Sequence, residues 1–69
     1  MKFADKVKYL RIRKGYTQEE LAKLANVTQP SIAAYEKGMR TPTANTTIQI
    51  AKVLGVEPRD LTDDERTVN

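Results

Sequence analysis

Cysteine and histidine are both absent from this 69-residue chain. Without cysteine there is no disulfide and no thiolate metal site, and without histidine the usual zinc ligands are gone. The same two absences remove the commonest general base and one of the main catalytic nucleophiles. No acid pair, nucleophile–base couple or glycine-rich phosphate loop stands in their place, so no catalytic residue, metal or cofactor is expected. No apolar run approaches a membrane span or a signal peptide, which leads to the expectation of a cytoplasmic protein with no membrane partner. Internal repeats and low-complexity tracts are missing too.

At this length the chain makes one domain with a small core, near the lower size at which apolar burial suffices by itself. Its net charge of +3 is unevenly placed. Met1 to Arg40 carries nine Lys or Arg against four acids, whereas Thr41 to Asn69 carries three against five. A basic N-terminal portion suits a phosphate-bearing partner, although a charge this small also fits an ordinary solvated surface.

The most structured stretch is Thr17 to Lys37, TQEELAKLANVTQPSIAAYEK. Thr17 with Glu20 three residues on is a capping box, and Tyr16 with Leu21 forms a hydrophobic staple across it. Thr28 starts a second helix with Val27 and Ile32 as its staple, and Pro30 sits in the first turn, where a missing N–H breaks no helical bond. Only Ala25-Asn26-Val27 is left to reverse direction, so Asn26 is expected to take positive φ, the conformation asparagine tolerates best after glycine. Leu21, Leu24 and Ala25 are read as the apolar stripe of the first helix, and Ile32, Tyr35 and Glu36 fall together on the second. Ala22 is the small residue at the helix crossing.

Around this pair, Phe3–Lys14 reads as a helix with Phe3, Val7 and Leu10 inward and Gly15 as its C-cap. Arg11 falls on that apolar face, an unusual place for an unpaired charge, and Glu36 is its candidate partner. Ile12 has no evident place. Gly38 suits a left-handed helix end, Thr43 caps a helix running to Leu54, and Gly55 stops it. Ile50, Ala51 and Leu54 form its apolar side, with Ile48 or Val53 at the margin. Pro58 opens a short fifth helix, with Val56 stapled to Leu61. The organisation expected is a domain over residues 1–61 and a polar, disordered tail over 62–69.

Four fragments in order, TQEELAKLANV, SIAAYEKG, TP before a helix, and IAKVLGV, resemble the phage repressor and Cro-like family of helix-turn-helix proteins, from about Val7 to Leu61. The resemblance implies an all-α, five-helix domain of λ-repressor-like type. It implies a sequence-specific transcriptional regulator, most simply a repressor, that places helix 28–37 in the major groove of double-stranded DNA. On that helix Gln29, Pro30, Ala33 and Ala34 become base-contacting positions, with Gln29 able to bridge adenine N6 and N7 and the others limited to apolar contact. An ordinary exposed glutamine is the competing reading of Gln29.

Gln18, Thr28, Ser31, Lys37 and Arg40 become phosphate contacts, with Arg13, Lys14 and Lys8 behind them; the competing reading of each cation is a solvated charge. In the resembling repressors the glutamine at the place of Gln18 also braces the recognition glutamine, and residues at the places of Arg11 and Glu36 form a buried ion pair. A homodimer follows by resemblance, through Gly55–Leu61 and the end of the fourth helix, formed in solution or only on a palindromic operator. An antitoxin or immunity-type regulator with an additional protein partner is the alternative. Ala44 and Thr47 depart from the larger apolar residues usual in the family, which is expected to thin the core under the fourth helix.

Overall fold

A computed structural model describes residues 2–62. They form α1 (Phe3–Lys14), α2 (Gln18–Ala25), α3 (Gln29–Glu36), α4 (Ala44–Leu54) and α5 (Pro58–Leu61), with no strand among the described residues. This is the all-α, five-helix architecture implied by the sequence.

The helix starts are fixed by side chains. Thr17 Oγ1 accepts the Glu20 N–H at 3.0 Å while Glu20 Oε1 accepts the Thr17 N–H at 2.8 Å. Thr28 and Thr43 hydroxyls cap α3 and α4 in the same way. The helix ends of α1, α2 and α4 share another device: Gly15, Asn26 and Gly55 all take left-handed φ, so the next N–H turns back to a carbonyl of the last turn. Asn26, at φ 63°, is the one described non-glycine residue with positive φ. That single residue holds the α2–α3 turn.

Val7, Leu21, Ile32, Ile50, Leu54 and Leu61 are fully buried and come from all five helices. Burying each such aliphatic side chain contributes roughly 1.5–3 kcal/mol, against the large entropy of ordering the chain. Ala22, Ala25 and Ala51 are nearly inaccessible, so α2 approaches α3 and α4 through alanines rather than long side chains.

Leu24 and Thr62 depart from the sequence expectations, and the alternative left open on α4 is resolved. Leu24 is 56% exposed: the buried arc of α2 runs through Leu21, Ala25 and Ala22, which turns Leu24 to the far flank. Of the two marginal residues on α4, Val53 packs against the core and Ile48 is exposed. Thr62 is not frayed, because its hydroxyl donates to the Arg59 carbonyl at 2.8 Å and its own carbonyl accepts from Lys6 Nζ at 2.6 Å. The rest of the expected tail, 63–69, lies outside the described residues. Ile12 is 57% exposed. Ala44 and Thr47 border an open groove with Phe3, Pro42, Ile48 and Pro58, which is where larger side chains on α4 would have filled space.

Candidate nucleic-acid interface

A chain of hydrogen bonds runs from α1 to the start of α3. Arg11 grips Glu36 with two bonds, Nε to Oε2 at 2.6 Å and Nη2 to Oε1 at 3.0 Å, and its Nη1 donates to the Tyr16 carbonyl at 2.8 Å. The pair is enclosed, with side-chain exposures of 12% for Arg11 and 3% for Glu36. A planar guanidinium is suited to this task, since its fork meets both carboxylate oxygens while a third N–H remains for a carbonyl. Glu36 Oε1 also accepts from Gln18 Nε2 at 3.1 Å. Gln18 Oε1 in turn accepts from Gln29 Nε2 at 2.7 Å. The first residue of α2 is thus bound to the first residue of α3, and both are anchored to the ion pair beneath.

A second cluster lies beside it. Thr28 Oγ1 donates to Ser31 Oγ at 2.9 Å, and Arg40 Nη1 donates to the same oxygen at 3.2 Å. The Arg40 guanidinium lies over the Tyr35 ring at 5.6 Å from its centre, a cation–π contact that holds a flexible side chain against α3. Tyr35 itself is 4% exposed and meets Phe3 edge-on. It is a core residue whose ring forms the platform for Arg40.

The helix ends add to this face. The first turn of α2 carries Glu19 and Glu20, whereas the first turn of α3 carries no acid. The first turn of α3 thus sets no carboxylate of its own against the partial positive charge at its N-terminus, although Glu19 of α2 lines the same surface as Gln29. Gln29 and Pro30 are exposed at this end. Ala33 and Ala34 are half-buried, so each offers little more than a methyl group. Lys37 is exposed at the C-cap, next to the loop that bears Arg40.

Two further basic residues make contacts within the chain. Arg13 stacks on Tyr9 at 5.5 Å and donates to its hydroxyl at 3.1 Å, while Lys14 reaches across to Gly55 at the end of α4. Lys8 is exposed on α1. The use of Tyr35 by Arg40 and of the Tyr16 carbonyl by Arg11 was not visible in the sequence. Both depend on how a loop folds back on a helix, which leaves no periodic trace.

Two short helices joined at one left-handed residue, the second opening on an exposed polar side chain, form a helix-turn-helix unit. The chain belongs to the helix-turn-helix family, whose model matches residues 7–61, and relatives that it matches over most of their length are named HTH-type transcriptional regulators. It is 35% identical over 65 residues to RstR of Vibrio cholerae, a cryptic phage CTXphi transcriptional repressor, matching 94% of this chain and 59% of RstR. The crystal structure of the restriction-modification controller protein C.AhdI from Aeromonas hydrophila superposes with a TM-score of 0.82 at 32% identity, covering 86% of this chain and 89% of that one. SinR of Bacillus subtilis, the master regulator for biofilm formation solved in complex with DNA, gives a TM-score of 0.82 at 27% identity, covering 86% and 95%. SinR has also been solved in complex with the SinI protein. Among the described residues no helix is long and apolar enough to cross a membrane.

Proposed function

We propose that this protein is a cytoplasmic, sequence-specific repressor whose α3 enters the major groove of a twofold-symmetric operator, with two protomers occupying the two half-sites. The observation that carries this reading is the Gln18–Gln29 bond at the adjoining starts of α2 and α3. It holds the exposed glutamine of the second helix in a defined position, where an untethered surface glutamine would sample many rotamers. Gln29 meets an adenine edge; Pro30, Ala33 and Ala34 contribute apolar contact, best suited to thymine methyls. Gln18, Thr28, Ser31, Lys37 and Arg40 lie against phosphates, with Arg40 the leading charged contact. This reading gives the chain no catalytic role.

The experiment is selection of bound DNA from a random pool, followed by titration of two variants. Gln29→Ala should relax preference at one base pair per half-site, a loss of about 1–3 kcal/mol there. Arg40→Ala should weaken all sequences alike and flatten the dependence on log salt by about one unit of slope. Equal loss of specific and non-specific binding in Gln29→Ala would make Gln29 a backbone contact and remove the basis of the reading. A second reading, that the domain also holds a protein partner as antitoxin or immunity-type regulators do, draws support from the SinR–SinI complex. Co-purification of a stoichiometric partner with the native chain would favour it.

A further inference from the structure

We propose that the Arg11–Glu36 ion pair fixes which way round the Gln29 amide faces, making Glu36 a positioning residue for base choice although it touches no base. The inference rests on the reading of Gln29 as the base-contacting side chain. A glutamine amide has two unlike ends, an oxygen that accepts and a nitrogen that donates, and an isolated glutamine can present either. Here the choice is made at the far end of the hydrogen-bond chain. The Glu36 carboxylate, gripped by two Arg11 N–H groups, can only accept. Gln18 must therefore bring its Nε2 to Glu36, as it does at 3.1 Å, which leaves Gln18 Oε1 facing Gln29. Gln29 must answer with its own Nε2, and it does so at 2.7 Å.

What Gln29 has left is one acceptor, Oε1, and one remaining N–H. That pair is complementary to adenine, which offers the N6 amino donor and the N7 acceptor side by side. It is not complementary to guanine, whose N7 and O6 both accept, so that one of them would face the Gln29 oxygen. Released from the relay, the amide can turn and offer both N–H groups to guanine. Exclusion of guanine is thus a property of the whole chain Arg11, Glu36, Gln18 and Gln29.

The test uses duplexes that carry the selected half-site with each of the four bases at the position mapped by Gln29→Ala, and reads each affinity relative to the cytosine duplex. Two variants release the amide, Gln18→Leu and the double change Arg11→Met with Glu36→Met, and circular dichroism establishes that each is folded. Wild type should favour adenine over guanine by about tenfold or more. In both variants the guanine-to-cytosine ratio should rise about tenfold while the adenine-to-cytosine ratio is largely kept. Unchanged ratios, or loss of adenine preference with no gain for guanine, would overturn the proposal, since general loosening of Gln29 predicts only the latter. If the double variant does not fold, Glu36→Gln takes its place, since a glutamine at 36 can also donate, lets the Gln18 amide turn and should give the same gain for guanine, whereas Gln18→Leu alone reports only the Gln18–Gln29 link. A Gln29→Ala profile that maps to no base pair sinks the underlying reading instead, and the two failures are told apart by that first measurement.

Discussion

Asn26 shows how much a single residue can hold. It sits at φ 63° and ψ 41°, and the Val27 N–H beyond it returns to the Ala22 carbonyl at 2.9 Å. Glycine adopts this conformation without strain, whereas a β-branched side chain crowds the backbone there. Asn26→Gly should leave the thermal midpoint unchanged or slightly raised, and Asn26→Val should cost about 1–2 kcal/mol. Equal melting of the two variants would show that the turn does not depend on this backbone geometry. The residue was legible in the sequence because only three positions were left to reverse the chain, and asparagine was the one suited to positive φ.

Between elements, the tie with the most at stake is Arg11 to Glu36, which joins α1 to the last turn of α3. Arg11→Met strands a carboxylate whose side chain is 3% exposed, and should destabilise by roughly 3–5 kcal/mol. For a domain this small that loss is enough to prevent folding, so urea titration at low temperature is the measurement of choice. Replacing both residues with methionine should recover most of the loss, and strictly additive single and double effects would mean the two side chains are not coupled. The helices themselves were readable from caps and stops, because Thr17, Thr28, Thr43, Gly15 and Gly55 act within one or two turns. Leu24 and Ile48 were harder to place. Which flank of an amphipathic helix is covered depends on the crossing with its neighbours, and alanines at the crossing rotate the buried arc away from the larger side chain. The hydrogen-bond relay was only partly legible: its members could be named, but the direction of each bond follows from atoms brought together by the fold.

For the whole molecule, the proposed function requires two copies, because one helix offering Gln29 as its single polar reader would not by itself supply the affinity and selectivity of a regulator. Half-site centres should lie about one helical turn, about 10 base pairs, apart on one face of the duplex. Titration should be steeper than single-site binding on the palindrome and hyperbolic on an isolated half-site, as expected when each bound protomer raises the effective concentration of the other. Inserting about five base pairs between the half-sites should abolish the steepness. A titration indifferent to the insertion would point to binding as a monomer or to a pair of different geometry. The tether on Gln29 also bears on the heat of binding. A glutamine loses up to about 2 kcal/mol of rotamer entropy when it is immobilised, and here that loss is incurred during folding, before any DNA arrives. Calorimetry on Gln18→Leu should accordingly show association with a less favourable entropy than in the wild type, a signature of pre-organisation that the affinity alone would not display.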